Sequence, residues 1–329
     1  MFTRWPRLVS LTRLLRSRRL SSRPPERLYF QRRRAGYDPR VDALRRRQYY
    51  IVGVLGAGGV VYYVSHLDRA PLTARRRMID ITPEQEASIG LANFQQVLAQ
   101  YRGHVLSRGA ATSRYIENIG RRIAASAEQL SGPGARYDWE FVVIDAPEAN
   151  AFCLPGGKVA VFTGILPILV DEDSVAAVLS HEIAHAVARH GAEKLAFMKL
   201  LLVMQLLINQ FVDTRFLTQI LVQLLIALPF SRRMESEADY IGLHLMAISC
   251  FDPEAMAPMF QRMAHWRQRQ TRGARVATPP KYLSTHPADE DRVTAIKNWL
   301  PEVRTVYESH CGAARGDLGM LQRAWRALG

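Results

Sequence analysis

Residues 180–190 read SHEIAHAVARH, with His181 and His185 four apart and Glu182 directly after the first. On an α-helix four residues turn through about 400° and rise about 6 Å, so both imidazoles fall on one face. They are then near enough to share one cation. Glu182 lies about 100° further round, awkward as a ligand but able to reach a water beside the same ion. Two donors do not complete a site. Zinc accepts imidazole at about 2.0–2.1 Å and needs at least one more protein ligand for catalysis. The chain must therefore fold so that a third donor, on a separate element, returns to this helix. His190 is five residues beyond His185 on the same predicted helix and points elsewhere. The longer pattern HExxHxxGxxH needs a glycine at 188 and a histidine at 191, where this chain has Ala188 and Gly191.

Donors of the right kind stand downstream in SRRMESEADYIG (231–242), which supplies Glu235, Glu237 and Asp239. Glu235 and Asp239 are four apart and share a helix face. One can bind the ion while the other orients a ligand histidine through its free ring N–H. Glu237 is the alternative ligand.

The net charge of +14 suggests a nucleic-acid binder until it is located. Residues 1–48 hold 15 arginines, no lysine and only Glu26, Asp38 and Asp42 as acids, which is +12 of the total. The remaining chain is nearly neutral, so no nucleic-acid partner is expected. An Arg-rich, Ser-containing start without an acid before Glu26 reads as a mitochondrial presequence and matrix arm, 1–47. A basic disordered arm is the alternative.

Gln48 to Leu67 runs for 20 residues without a formal charge, with tyrosine pairs near both ends. At 1.5 Å per residue this just spans a bilayer core of about 30 Å, so 48–67 is expected to be a transmembrane anchor. The alternative is a glycine-rich core helix. Arginines flank both ends, more heavily on the N-terminal side, which places 68–329 in the intermembrane space if the leader is mitochondrial. Cys153, Cys250 and Cys311 form no CxxC pair; buried free thiols are expected, with one disulfide allowed in an oxidising compartment.

The body reads as α+β, mainly helical. Helices are expected over 82–101, 113–130 and 174–195, the last with Asp171, Glu172 and Asp173 near its N-terminus. WEFVVIDA (139–146) reads as a strand, and NAFCLPGGKVAVFTG (150–164) as strand, turn and strand. Residues 195–230 are strongly apolar but interrupted by Lys199, Asp213 and Arg215. Buried core helices are expected there, with a membrane-dipping hairpin left open.

HEIAHAVARH followed by ESEADYIG resembles the zinc peptidase family that contains HtpX and the CAAX prenyl proteases. The resemblance covers roughly residues 80–300. It implies a gluzincin-type metallopeptidase domain with a small antiparallel sheet and one Zn2+ per chain. His181, His185 and Glu235 map onto the zinc ligands, Glu182 onto the catalytic base and Asp239 onto the partner of a ligand histidine. NAFCLPGG is similar to the edge strand along the family's cleft, making Asn150, Ala151, Phe152, Cys153 and Leu154 the substrate strand. THPADEDR (285–292) is similar to a late motif in which His286 stabilises the oxyanion and Arg292 braces the site. The implied partners are protein substrates, membrane-bound or misfolded, and the lipid bilayer; a homo-oligomer stays open. Leader and anchor narrow the resemblance to mitochondrial inner-membrane members with a quality-control role. The rival readings are a non-catalytic membrane scaffold or chaperone with a vestigial zinc site, and a prenyl-protein or quality-control peptidase of another membrane.

Overall fold

A computed structural model describes residues 39–132, 134–209, 229–273, 286 and 290–327. The expected presequence, apart from its last residues, lies outside them. Contacts divide the chain into residues 1–53 and 54–329. Helix α1 (Pro39–Ser65) begins in the first unit and ends in the second. It takes in the uncharged stretch as far as Ser65. Its four glycines and four tyrosines dilute the aliphatic residues, and among the described residues no helix is long and apolar enough to cross a membrane.

A hairpin that the sequence reading missed follows, β1 (Leu67–Arg69) and β2 (Arg76–Met78). Helix α2 (Pro83–Gln100) starts as its sequence dictates. Thr82 and Gln85 form a reciprocal capping box, and Pro83 occupies the first turn. Helix α3 (Ala111–Ser131) buries Ile116, Ile119 and Ile123, which stand three and four apart.

Strands β3 (Glu140–Ile144), β4 (Ala151–Leu154) and β5 (Lys158–Phe162) form one sheet in the order β3-β5-β4. The expected antiparallel sheet is in fact mixed. β4 and β5 make the predicted antiparallel hairpin, but β3 pairs β5 in parallel. The chain leaving β3 crosses to the far edge before turning back, so β5 enters the centre running alongside β3. All five residues of β5 are buried, as a central strand requires. The turn needs its glycines: Gly156 and Gly157 take φ of 78° and 87°, and a Cβ on Gly157 would stand 2.9 Å from the Trp139 ring.

Helix α4 (Glu172–Val187) carries HExxH. Asp171 caps it, accepting from the Ser174 amide at 2.7 Å. Thirteen of its residues are buried, so its alanines and valines serve packing between α3, β4 and α6 rather than solubility. Burying a side chain such as Leu179 or Ile183 contributes about 1.5–3 kcal/mol. Then come α5 (His190–Ile208), α6 (Pro229–Ile248), α7 (Met256–Gly273) and α8 (Glu290–Ala327). α6 closes on α4 at Gly242, where a Cβ would meet the His181 amide nitrogen at 3.3 Å.

Three further expectations are corrected. The single helix over 174–195 is broken at Ala188, and Arg189 takes φ of 52°. Its guanidinium is held from outside the helix, Nε donating to Glu86 at 2.6 Å and Nη2 to the Ile81 carbonyl at 2.8 Å. Residues 198–206 are not buried core: Met198, Leu202, Val203, Met204 and Leu206 are 49–57% exposed along α5. Residues 210–228, the rest of that apolar segment, lie outside the described residues. Cys250 and Cys311 are joined in a disulfide rather than free, their Cα atoms 5.6 Å apart. A cross-link over 61 residues stabilises a fold by about 4 kcal/mol through the entropy of the unfolded chain. Cys153 is free and half-buried against the core.

Candidate active site

Two buried helices converge at right-angled imidazoles. His181 and His185 project from one face of α4, their ring centroids 4.8 Å apart at 85°. Glu235 reaches in from α6, its carboxylate 3.3 Å from His181 Nε2 and 3.5 Å from His185 Nε2. His286, from the chain between α7 and α8, brings Nδ1 to 2.9 Å from Glu235 Oε2 and 3.3 Å from His181 Nε2. One donor atom from each of these four residues lies within 4.8 Å of all the others.

The back of the site is braced from α6 and α8. Asp239, one turn after Glu235, places Oδ1 2.9 Å from His181 Nδ1, close but not aligned for a straight hydrogen bond. Arg292, in the first turn of α8, donates to both Asp239 oxygens at 2.7 Å. Its Nη1 is 3.5 Å from Glu235 Oε2, and its guanidinium lies over the Phe260 ring. Seven predicted residues are thus brought together: His181, Glu182, His185, Glu235, Asp239, His286 and Arg292. Thr285, Pro287, Ala288 and Asp289 of the late motif lie outside the described residues.

Burial and charge set the protonation states. Burial holds the His185 imidazole well below its ordinary value, leaving a neutral ring with a lone pair to give. Burial would also lower His181, but the carboxylates of Asp239 and Glu235 reverse this and lift it to about 9. Glu235 is buried too, which would raise it; His185, His181 and His286 instead hold it far below the usual carboxylate range. Asp239 is likewise kept ionised against its burial, chiefly by Arg292. The donor set fits a borderline cation: imidazole nitrogens and one ionised carboxylate, in a buried pocket. Glu182 fits beside it. It is 2% exposed, stands outside the donor cluster, and its Oε1 finds no hydrogen-bond partner among the described residues. His286 Nε2 lies 3.6 Å from this oxygen.

β4 lies at the edge of its sheet and packs on α4. Cys153 on this strand is close enough to Glu182 that, after burial, the carboxylate is the second influence raising its thiol. Asn150 precedes the strand; it is buried and its carbonyl accepts from the Phe162 amide at 2.9 Å.

A second ring of polar groups escaped the sequence reading. Because the helix breaks at Ala188, His190 turns back to His185, their Nδ1 atoms 2.8 Å apart. Glu237, weighed from the sequence as a ligand, instead meets His190, Arg75 and Thr73. No short-range pattern marks Arg75 or Thr73, which come from the hairpin more than 110 residues upstream.

A geometry of this kind, HExxH plus a glutamate from a second helix, defines a metallopeptidase. The chain belongs to peptidase family M48, whose model matches residues 110–300. It is 40% identical to the mitochondrial metalloendopeptidase OMA1 of Schizosaccharomyces pombe over 265 residues, 80% of this chain and 75% of that one. Against the protein of that name from Saccharomyces cerevisiae it is 36% identical over 272 residues, 81% and 78% of the two chains. The beta-barrel assembly-enhancing protease of Escherichia coli is 27% identical over 214 residues, 59% of this chain and 40% of its own.

Proposed function

We propose that this chain is a zinc endopeptidase of the mitochondrial inner membrane, anchored by the uncharged part of α1. Its catalytic unit faces the intermembrane space and cleaves membrane-bound or misfolded proteins in quality control. The observation that carries the chemistry is the convergence of His181, His185, Glu235 and His286 on one centre. Mitochondrial placement is supported by the names of the relatives and by the Arg-rich leader. The Cys250–Cys311 disulfide suits an oxidising compartment. The flanking tyrosine pairs support anchoring at a membrane interface.

In this reading His181, His185 and Glu235 hold the ion. Bound zinc supplies a Lewis acid that polarises the scissile carbonyl and acidifies water. Glu182 Oε1 takes the proton of the attacking water and returns it to the leaving amine. A substrate strand adds to the free edge of β4 by main-chain hydrogen bonds, which reads extended shape more than sequence. Asp239 and Arg292 hold His181 in place. His286 Nε2 faces Glu182 and donates to the oxyanion of the tetrahedral intermediate. A second role for His286 is favoured by its Nδ1, which stands among the metal donors.

The test is cleavage of an unfolded casein by the purified full chain in detergent. Activity is expected, abolished by a zinc chelator and restored by added zinc; chelator-insensitive cleavage would contradict the assignment. The same assay on His286→Ala separates its two roles. Lost turnover with zinc retained supports the oxyanion role, and lost zinc supports ligation.

A further inference from the structure

His185 turns Nε2 toward the donor cluster and Nδ1 away from it, where Nδ1 meets His190 Nδ1 at 2.8 Å. His190 Nε2 lies 3.0 Å from Glu237 Oε2. Glu237 accepts from Arg75 Nε at 2.9 Å and Nη2 at 2.6 Å, and from the Thr73 hydroxyl. Arg75 also forks onto Glu193, at 2.7 and 2.6 Å. His190, Glu193 and Glu237 are 1%, 4% and 6% exposed, so these bonds face little competition from water. The mechanism above uses none of His190, Glu193, Glu237, Arg75 or Thr73.

Only one proton arrangement satisfies this chain of contacts once Nε2 of His185 binds a cation. Nε2 must then present a lone pair, which puts the His185 proton on Nδ1. That N–H donates to His190 Nδ1. His190 therefore carries its own proton on Nε2 and donates it to Glu237. A carboxylate only accepts, and Arg75 and Thr73 fix its position. Both imidazole N–H groups point the same way, from the ion outward to Glu237, and Arg75 and Thr73 donate to that carboxylate from the hairpin side. The other ligand on α4, His181, is held by a different device, the Asp239–Arg292 pair.

We propose that His190 and Glu237 form a positioning relay that fixes the tautomer and ring angle of His185, with Arg75 of the β1–β2 hairpin as its outer end. Metal affinity is thereby coupled to the seating of the segment that directly follows α1. The relay rests on the reading of His185 as a metal ligand. The rival is a buried polar network that merely ties the hairpin to α5 and α6. That role would lower stability when broken and leave metal affinity alone.

The experiment uses the full chain in detergent, as wild type, His190→Leu, His190→Gln and Arg75→Gln. Zinc affinity is read by competition with a chromophoric chelator, and the Co2+-loaded proteins are compared by visible absorption alongside their melting temperatures. His190→Leu removes the acceptor of the His185 N–H and is expected to weaken zinc about 10–100-fold and shift the cobalt bands. His190→Gln should recover most of that loss, because its amide oxygen can accept from His185 while its NH₂ donates to Glu237. Arg75→Gln, changed at a side chain 27% exposed, should weaken zinc less than His190→Leu does. Wild-type affinity in His190→Leu, or a glutamine variant no better than leucine, overturns the relay. Should His190→Leu not fold, unchanged zinc affinity and cobalt bands in Arg75→Gln overturn it instead. A wild-type chain that binds no zinc is a separate failure, of the ligand reading itself.

Discussion

Glu182→Gln is expected to retain zinc and lose about 10²–10⁴ in turnover, the usual contribution of a positioned general base. The exchange is isosteric and removes one property, the ability to take a proton. Glu182 is well placed for a clean result. It is 2% exposed, lies outside the four-residue donor cluster, and its Oε1 finds no hydrogen-bond partner among the described residues. The check is kcat on an unfolded substrate, paired with zinc per chain for the same sample. Normal turnover in this variant would refute the assignment of the base.

Glu235→Ala is expected to lose the metal altogether. Its carboxylate is the only anion within the donor cluster, 3.3 and 3.5 Å from the two α4 imidazoles. Without it, three imidazoles crowd together beside Arg292, whose remaining counter-charge is Asp239. Breaking a buried pair in this way costs about 3–5 kcal/mol, so some loss of stability should accompany the loss of zinc. Glu237→Ala is the informative control. Glu237 points to His190 and Arg75, so its removal should weaken zinc binding without abolishing it. Zinc retained in Glu235→Ala and lost in Glu237→Ala would reverse the ligand assignment.

The residues that the sequence made legible share a trait: their geometry follows from spacing within one element. His181 and His185 on α4, and Glu235 and Asp239 on α6, need only a helix to share a face. The Pro155–Gly156–Gly157 turn is similarly local. His286, Arg292 and the β4 edge came from family resemblance. What stayed hidden was decided by distant partners. The helix break at Arg189 opposes local propensity and persists because Glu86 and the Ile81 carbonyl hold the guanidinium. That break alone brings His190 back to His185. The parallel pairing of β3 with β5, the bond between Cys250 and Cys311, and the reach of Arg75 to Glu237 also join segments far apart in sequence. Hydrophobicity misled over 198–206, because an apolar run states that it avoids water, not which surface covers it.

The central claim is that one zinc ion is gripped by two imidazoles of α4 and a carboxylate of α6. Zinc-edge X-ray absorption of the metal-loaded full chain, with stoichiometry from mass spectrometry, tests it most directly. The prediction is one zinc per chain in a shell of nitrogen and oxygen donors at about 2.0–2.1 Å. A shell containing sulfur at about 2.3 Å, or no stoichiometric zinc, would contradict it.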